Sequence, residues 1–295
     1  MLAKHSLIQL KTGCNPKESF KTLDSLIRKA ADRGISFVST PETTNIMELR
    51  SSKLFKKITS EKDDVFLKKL RALAKELNLW INLGSWIVKA GKNKASNRTI
   101  LIDSDGRIHS RYDKIHLFDV EISETERYLE SKTYKAGNKA IVSKTPFGKL
   151  GLTICYDLRF PNLYRDLAQS GAEILFVPSA FTFHTGKDHW HSLLKARAIE
   201  TGSFVIAPAQ NGLHENGRKT YGHSLVVNPW GKIVAEKKKG TGLMDFKINL
   251  DEVHQARLKI PSIKFWSLWE NDKLMGCGAL KFLDCLLYTS DAADD

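Results

Sequence analysis

LGLTICYDLRFPNLYRDLAQSGAEILFVP, residues 150–178, decides the fold class. Residues 151–155 form a short, mostly apolar run, which predicts a buried strand. A helix is expected over 162–170, just past Pro161, and Gly171 closes it. Residues 174–177 are again short and apolar, and Pro178 stops them. Strand, helix and strand in quick succession is the repeat of a sheet covered by helices.

The alternation extends in both directions. Over 17–33, Phe20, Leu23, Leu26, Ile27 and Ala30 recur at helical spacing, and Gly34 ends the run. A strand follows at 35–38, before Pro41. Residues 64–77 read as a helix, 80–87 as a strand, and 99–103 with 106–108 as a hairpin around Gly106. Downstream, 189–201 read as a long helix and 204–207 as a strand. Residues 224–227 and 232–236 flank the turn Pro229-Trp230-Gly231 as paired strands. The expected class is α/β with both sheet faces covered; the pattern does not fix the strand order. No internal repeat and no low-complexity linker divides the first 260 residues.

With 295 residues the chain is long enough to bury a large core, roughly 75% of its unfolded surface. No stretch approaches the ~20 apolar residues of a membrane helix, and residues 1–10 lack the apolar core of a secretory signal, so the expected compartment is the cytoplasm. The four cysteines, Cys14, Cys155, Cys277 and Cys285, are scattered without a CxxC pair, so neither a disulfide framework nor a zinc-finger spacing is expected. A net charge of +13 raises nucleic-acid binding as a rival class. The lysines are spread along the chain and do not interleave with aromatic residues, so the charge reads as a soluble basic surface suited to acidic substrates.

Three polar residues stand just past the ends of apolar runs, where chemistry sits in α/β sheets: Glu42 in SFVSTPETTN, Lys114 in RYDKIHLFD and Cys155 in LTICYDLRFP. A strand–turn–helix passage can expose a cysteine to backbone N–H groups, yet cysteine is also among the most buried residue types. A thiol needs a base, and none of the histidines carries a motif that singles it out for that task. A carboxylate raised by burial can serve instead, and Glu42 follows a buried strand; standing alone it reads rather as a helix-capping or loop carboxylate. Lys114 lies among Ile115, Leu117 and Phe118, where it is either an oxyanion holder or a surface lysine with a buried stem.

Taken in this order and at these separations, the three segments resemble the Glu-Lys-Cys triad of the nitrilase, or carbon–nitrogen hydrolase, family. The resemblance runs from about residue 6 to 263 and includes GAEILFVPSAF, HWHSLLKARAIE, YGHSLVVNPWGKIVAE and ESKTYKAG. It implies a four-layer α-β-β-α sandwich, pairing into homodimers, and no metal or other cofactor. Cys155 would attack an amide carbonyl and form a thioester, with Glu42 as general base. Lys114 and the backbone N–H of Tyr156 would hold the oxyanion, and Glu130 would support Lys114. The run SAFTFHTGKDHWHSLLKARAIE, with AQNGLHENGRKTYGHS, is most similar to the branch acting on deaminated glutathione, beside the ω-amidases of 2-oxoglutaramate. Substrates of both carry carboxylates. Arg159 is placed to meet one or to form a structural ion pair; His184, Lys187 and Arg218 are further substrate candidates, or solvated loop charges. Glu200 reads as structural. A nitrilase acting on a C≡N bond is the alternative within the family; no partner other than a small-molecule amide, and neither nucleic acid nor membrane, is expected.

The resemblance ends at about residue 263. LMGCGALKFLD is similar to a strand pair of an N-acetyltransferase, and CLLYTSDAADD to translated sequencing adapter. The expected organisation is a hydrolase domain over 1–263 and an atypical, chimeric or artefactual tail over 264–295, in which Cys277 and Cys285 have no function and whose presence weakens or alters the dimer.

Overall fold

The computed structural model describes residues 4–123, 126–262, 265–270, 273–279, 281–283 and 286–288. Along the chain the elements are β1 (Lys4–Gln9), α1 (Pro16–Asp32), β2 (Phe37–Ser39), α2 (Ser51–Lys57), α3 (Val65–Glu76), β3 (Trp80–Lys89), β4 (Ala95–Ile102) and β5 (Ile108–Asp113). A hairpin of β6 (Asp119–Ser123) and β7 (Glu126–Leu129) leads to β8 (Ile141–Thr145), β9 (Gly148–Leu152), α4 (Pro161–Gln169) and β10 (Ile174–Phe176). Then come α5 (Phe183–Thr201), β11 (Phe204–Ala207), the hairpin β12 (Asn211–Leu213) and β13 (Lys219–Tyr221), β14 (Ser224–Val227), β15 (Ile233–Lys237), β16 (Gly242–Lys247) and α6 (Asp251–Lys259).

Two six-stranded sheets result, ordered β16-β1-β2-β3-β4-β5 and β15-β14-β11-β10-β9-β8. Each has three parallel strands at its centre, β1-β2-β3 and β11-β10-β9, flanked by antiparallel ones. In each half the parallel neighbours are joined across a helix, which is the connection parallel pairing requires.

Alternation along the strands sorts side chains into layers. In the first sheet Ile8, Val38, Ile81 and Ile100 face α1 and α3. Leu7, Phe37 and Leu101 turn the other way and join Leu152, Phe176 and Ile206 of the second sheet in the largest core. Leu163, Leu167 and Trp190 of α4 and α5 close the outer side of that sheet. The order is therefore helix, sheet, sheet, helix, the expected four-layer sandwich.

The helix ends have local causes. Asn15 caps α1 by accepting the Lys17 N–H at 3.0 Å, with Pro16 at the first helical position. Asp64 caps α3 through two N–H bonds of 2.9 Å, and its other oxygen takes the Trp86 Nε1–H at 2.8 Å, which ties the helix to β3. Two boundaries differ from the sequence reading. Helix α5 begins at Phe183 rather than 189, because the polar run HTGKDH hides the helical period. Strand β9 ends at Leu152, so Cys155 stands clear of the sheet in a 3₁₀ turn, Cys155–Arg159. Beyond α6, residues Phe265–Glu270 pair with Lys273–Ala279. Lys264 and Cys285 lie outside the described residues.

Among the described residues no helix is long and apolar enough to cross a membrane.

Candidate active site

Glu42, Lys114 and Cys155 each follow the C-terminal end of a strand, β2, β5 and β9, and the two sheets bring those ends together. Gly84 marks how closely they meet. A Cβ there would stand 1.9 Å from the Thr40 carbonyl oxygen of one half and 2.4 Å from Pro178 of the other, so only glycine fits.

Cys155 has φ +48°, a left-handed conformation uncommon outside glycine, and its N–H donates to the Pro178 carbonyl at 3.0 Å. Asp157 holds this turn. Fully buried, it accepts from Ile154 N–H (2.8 Å) and Tyr112 Oη–H (2.7 Å) on one oxygen, and from the backbone N–H (3.0 Å) and Nδ1–H (2.7 Å) of His116 on the other. Two of those donors flank Lys114, so one carboxylate fastens the cysteine turn to the lysine segment.

Lys114, 2% exposed, donates from Nζ to Glu42 Oε1 and Glu130 Oε2, both at 2.9 Å. Asn97, on β4, donates its amide to Glu42 Oε1 (2.9 Å) and Glu130 Oε1 (3.1 Å). The other Glu42 oxygen accepts the Ala180 N–H at 2.8 Å, and Glu130 Oε2 also accepts the Phe118 N–H at 2.6 Å. The strand Lys114 ends is further anchored where its N–H meets the Asn97 carbonyl at 3.0 Å.

Charge follows from this packing. Burial alone would raise the Glu42 carboxyl, but the Lys114 ammonium, the Arg218 guanidinium and the hydrogen bonds outweigh it and hold it at about 2. Burial opposes the charge on Lys114, yet Glu130 and Glu42 drive it well above its ordinary value. The Cys155 thiol is pushed up, by burial first and by the neighbouring Glu42 charge second. The resting group is thus a neutral thiol beside an ionised carboxylate and an ammonium.

These residues line a cavity of about 210 Å³ with Tyr134, Tyr128 and Arg218. An adjoining recess shares Cys155 and Phe118 and adds Tyr156, Arg159, Phe181 and Thr185. The Arg159 guanidinium lies 5.3 Å over the Phe181 ring, with Nη2 3.3 Å from His189 Nδ1. Arg218 lies 5.0 Å over the Tyr128 ring and donates to the Ala180 carbonyl at 2.6 Å; its buried Nε has no partner.

Of the residues singled out in the sequence, the structure brings Glu42, Lys114, Glu130, Cys155, Tyr156, Arg159 and Arg218 to this paired cavity. His184 and Lys187 stand exposed on the first turns of α5, whose inner side is set by Gly186 against Tyr221, and they line neither space. Glu200 pairs with Arg197 at 2.9 Å, away from it. Asn97, Tyr134 and Asp157 were not foreseen. Neither lining includes a histidine. Cys14, the other free cysteine among the described residues, lies outside both.

Known proteins resemble this chain in sequence and in fold. The family model described as carbon–nitrogen hydrolase matches residues 5–258. A deaminated glutathione amidase of Synechocystis is 40% identical over 261 residues, which are 87% of this chain and 95% of that one. A deaminated glutathione amidase of Yersinia enterocolitica is 37% identical over 266 residues, 89% and 92% of the two chains. Among solved structures, the NitFhit protein of Caenorhabditis elegans superposes with a TM-score of 0.82 at 32% identity, covering 99% of this chain and 72% of that one.

Proposed function

The chain belongs to the carbon–nitrogen hydrolase family and is a hydrolase of amide C–N bonds, and from that premise we propose that its substrate is a carboxylated amide of the deaminated glutathione kind, cleaved through a thioester on Cys155. The observation that carries the catalytic part is the Lys114 ammonium bonded to both Glu42 and Glu130 in the cavity that Cys155 lines.

Cys155 passes its proton to Glu42 as the sulfur attacks the amide carbonyl. The carbonyl oxygen takes up negative charge, for which Lys114 and the Tyr156 N–H are the donors. Collapse expels the amine, which leaves with the proton held by Glu42. Water then loses a proton to Glu42 and attacks the thioester; the carboxylic acid departs and the Cys155 thiol is restored. At its held-down pKa Glu42 is a weak base and the thiol a reluctant acid. Proton transfer therefore becomes favourable only as the developing oxyanion draws Lys114 away from the carboxylates, so attack and deprotonation occur together. Glu130 and Asn97 orient Lys114 and Glu42 without accepting the transferred proton.

Arg159 and Arg218 line the recess that Cys155 also lines, and their two guanidinium groups favour a carboxylated amide over a neutral nitrile. An ω-amidase activity on 2-oxoglutaramate uses the same groups and is the second reading. The working unit is proposed to be residues 1–263, in the cytoplasm, paired as a homodimer. Ile199 beside Gly231, and Trp230 under Lys259 of α6, give an exposed apolar surface for such pairing.

The test is incubation with deaminated glutathione, 2-oxoglutaramate and a panel of small nitriles, with Cys155→Ala as control and products followed by mass spectrometry. The expected result is release of 2-oxoglutarate from the first, dependent on Cys155. Conversion of the nitriles alone, or turnover by the alanine variant, would overturn the proposal.

A further inference from the structure

On the outer corner of the second sheet, away from the cavity linings, three side chains from three elements converge. Helix α5 supplies His191, the residue before β14 is His223, and β15 supplies Glu236. His191 Nε2 lies 3.0 Å and His223 Nδ1 2.6 Å from the same oxygen, Glu236 Oε1. The three ligand atoms all lie within 4.8 Å of one another. We propose that His191, His223 and Glu236 form a binding site for a divalent transition-metal ion of the zinc class, independent of the amide chemistry.

The donor set suits such an ion: two imidazole nitrogens and one carboxylate oxygen make a three-residue zinc site whose fourth position is left to water. Ligands of a tetrahedral zinc ion at about 2.0–2.1 Å stand about 3.3 Å apart. The His191 nitrogen therefore needs to move about 0.3 Å, and the His223 nitrogen about 0.7 Å, from the oxygen they now share. A carboxylate only accepts, so both ring nitrogens now donate to it. On metal binding each ring gives that nitrogen's lone pair to the ion, and its proton resides on the opposite nitrogen, Nδ1 of His191 and Nε2 of His223. The site stays at one negative protein charge against the ion's two positive ones.

The ligands are held in place beforehand. His223 has φ +57°, its N–H donates to the Lys238 carbonyl at 3.2 Å, and its carbonyl accepts the Trp190 Nε1–H at 2.9 Å. Its ring stacks on Tyr221 at 4.2 Å. Such outer support fixes the orientation of a ligating imidazole. All three side chains are between one-sixth and one-third exposed, which keeps an entry path and a place for water. A bound ion would pin α5 to the β14–β15 hairpin. The chain entering α5 carries Phe181 and Thr182, which line the recess beside Cys155.

The experiment titrates Zn²⁺ into the metal-stripped full chain against a chromophoric chelator of micromolar affinity, and records the absorption spectrum after Co²⁺ loading. One ion per chain is expected. The visible cobalt bands should be those of a four-coordinate ion without the near-ultraviolet sulfur-to-cobalt band that Cys14 or Cys155 would give. His191→Gln and Glu236→Gln should weaken binding by more than the roughly 10–100-fold that loss of an outer-shell partner costs. Circular dichroism checks the fold of each, and His223→Asn, which tolerates the left-handed backbone, is a third variant. Zinc binding unchanged in the folded variants, a sulfur-ligated cobalt spectrum, or an intact chain that cannot compete with the chelator would each overturn the proposal. The cobalt spectrum of the intact chain decides even if every variant unfolds.

Discussion

Glu42 and Glu130, which approach from different parts of the chain, share two partners: Lys114 Nζ bonds to each at 2.9 Å, and the Asn97 amide to each at 2.9 and 3.1 Å. One ammonium therefore offsets two carboxylates at the wall of the cavity. Replacing Lys114 by Ala should lower kcat at least ~10²-fold, the scale of losing one oxyanion donor. It should also move the acid limb of the pH–rate profile upward. Glu42 is ionised above about 2 while Lys114 is present, and removing the cation leaves burial and the Glu130 charge to raise it. Rates across pH 4–8 check both; a near-normal rate removes Lys114 from the mechanism.

Asn97→Ala keeps every charge and removes only the bridge. The expected effect is a fall in kcat with little change in KM, because the carboxylates lose orientation while the substrate groups stay. Asn97→Asp should be worse, since it adds a third acid beside the ammonium. Steady-state kinetics of the two variants separates orientation from simple packing, which would leave Asp the milder change in kcat.

Much of this site is legible in the sequence, for a physical reason. Glu42, Lys114 and Cys155 follow short apolar runs, and a polar residue just past a buried strand is conspicuous. Glu130 lacks that setting and is reached only through the resemblance of its segment. Asn97 sits inside β4 with side chain turned inward, where an asparagine in an alternating strand looks like an outward-facing residue. Asp157 looks like a loop carboxylate; that four donors surround it depends on β5 lying against the cysteine turn, a contact between residues 45 apart in the chain. The two sheets follow from the alternation, whereas their strand order comes from pairings at long range. The His191–His223–Glu236 corner has no local spacing at all, since its members come from three elements.

Asp157→Asn tests that hidden fastening. The amide group can accept on only one of its two atoms, so two of the four donors face an N–H₂ group. The expected loss of stability is about 1–3 kcal/mol for each orphaned donor, with activity falling because the Cys155 turn and the Lys114 segment come apart. Urea unfolding followed by fluorescence measures the first and kcat the second. An unchanged midpoint would show that the network is dispensable.

Arg159→Lys keeps the charge but loses the planar fork that stacks on Phe181. For a carboxylated amide KM should rise, by about 10–100-fold if one charge-assisted bond of about 1.5–3 kcal/mol is lost. For a small neutral amide the change should be slight. Equal losses on both substrates would assign Arg159 to holding the recess rather than to reading a carboxylate.

His5 gives the fold an acid-sensitive point remote from the chemistry. It packs among Phe37, Phe147 and Phe246 between the sheets, its Nδ1 buried without a partner. Burial lowers it from 6.5 to about 4. Between those values the unfolded chain binds a proton here and the folded chain does not, so stability is present in full above pH 6.5 and is lost as pH falls toward 4. The full span corresponds to about 3 kcal/mol. His214, also lowered to about 4 by burial, adds a loss of the same sign. His5→Phe fills the same aromatic surroundings with a ring that cannot take the proton and needs no partner. Its stability at pH 7 should equal or exceed that of the parent, and its loss between pH 6.5 and 4 should be smaller, leaving the share due to His214. Urea midpoints at pH 7, 5.5 and 4.5 decide it: parallel losses in variant and parent would mean that His5 finds a proton acceptor in the fold and is charged there already.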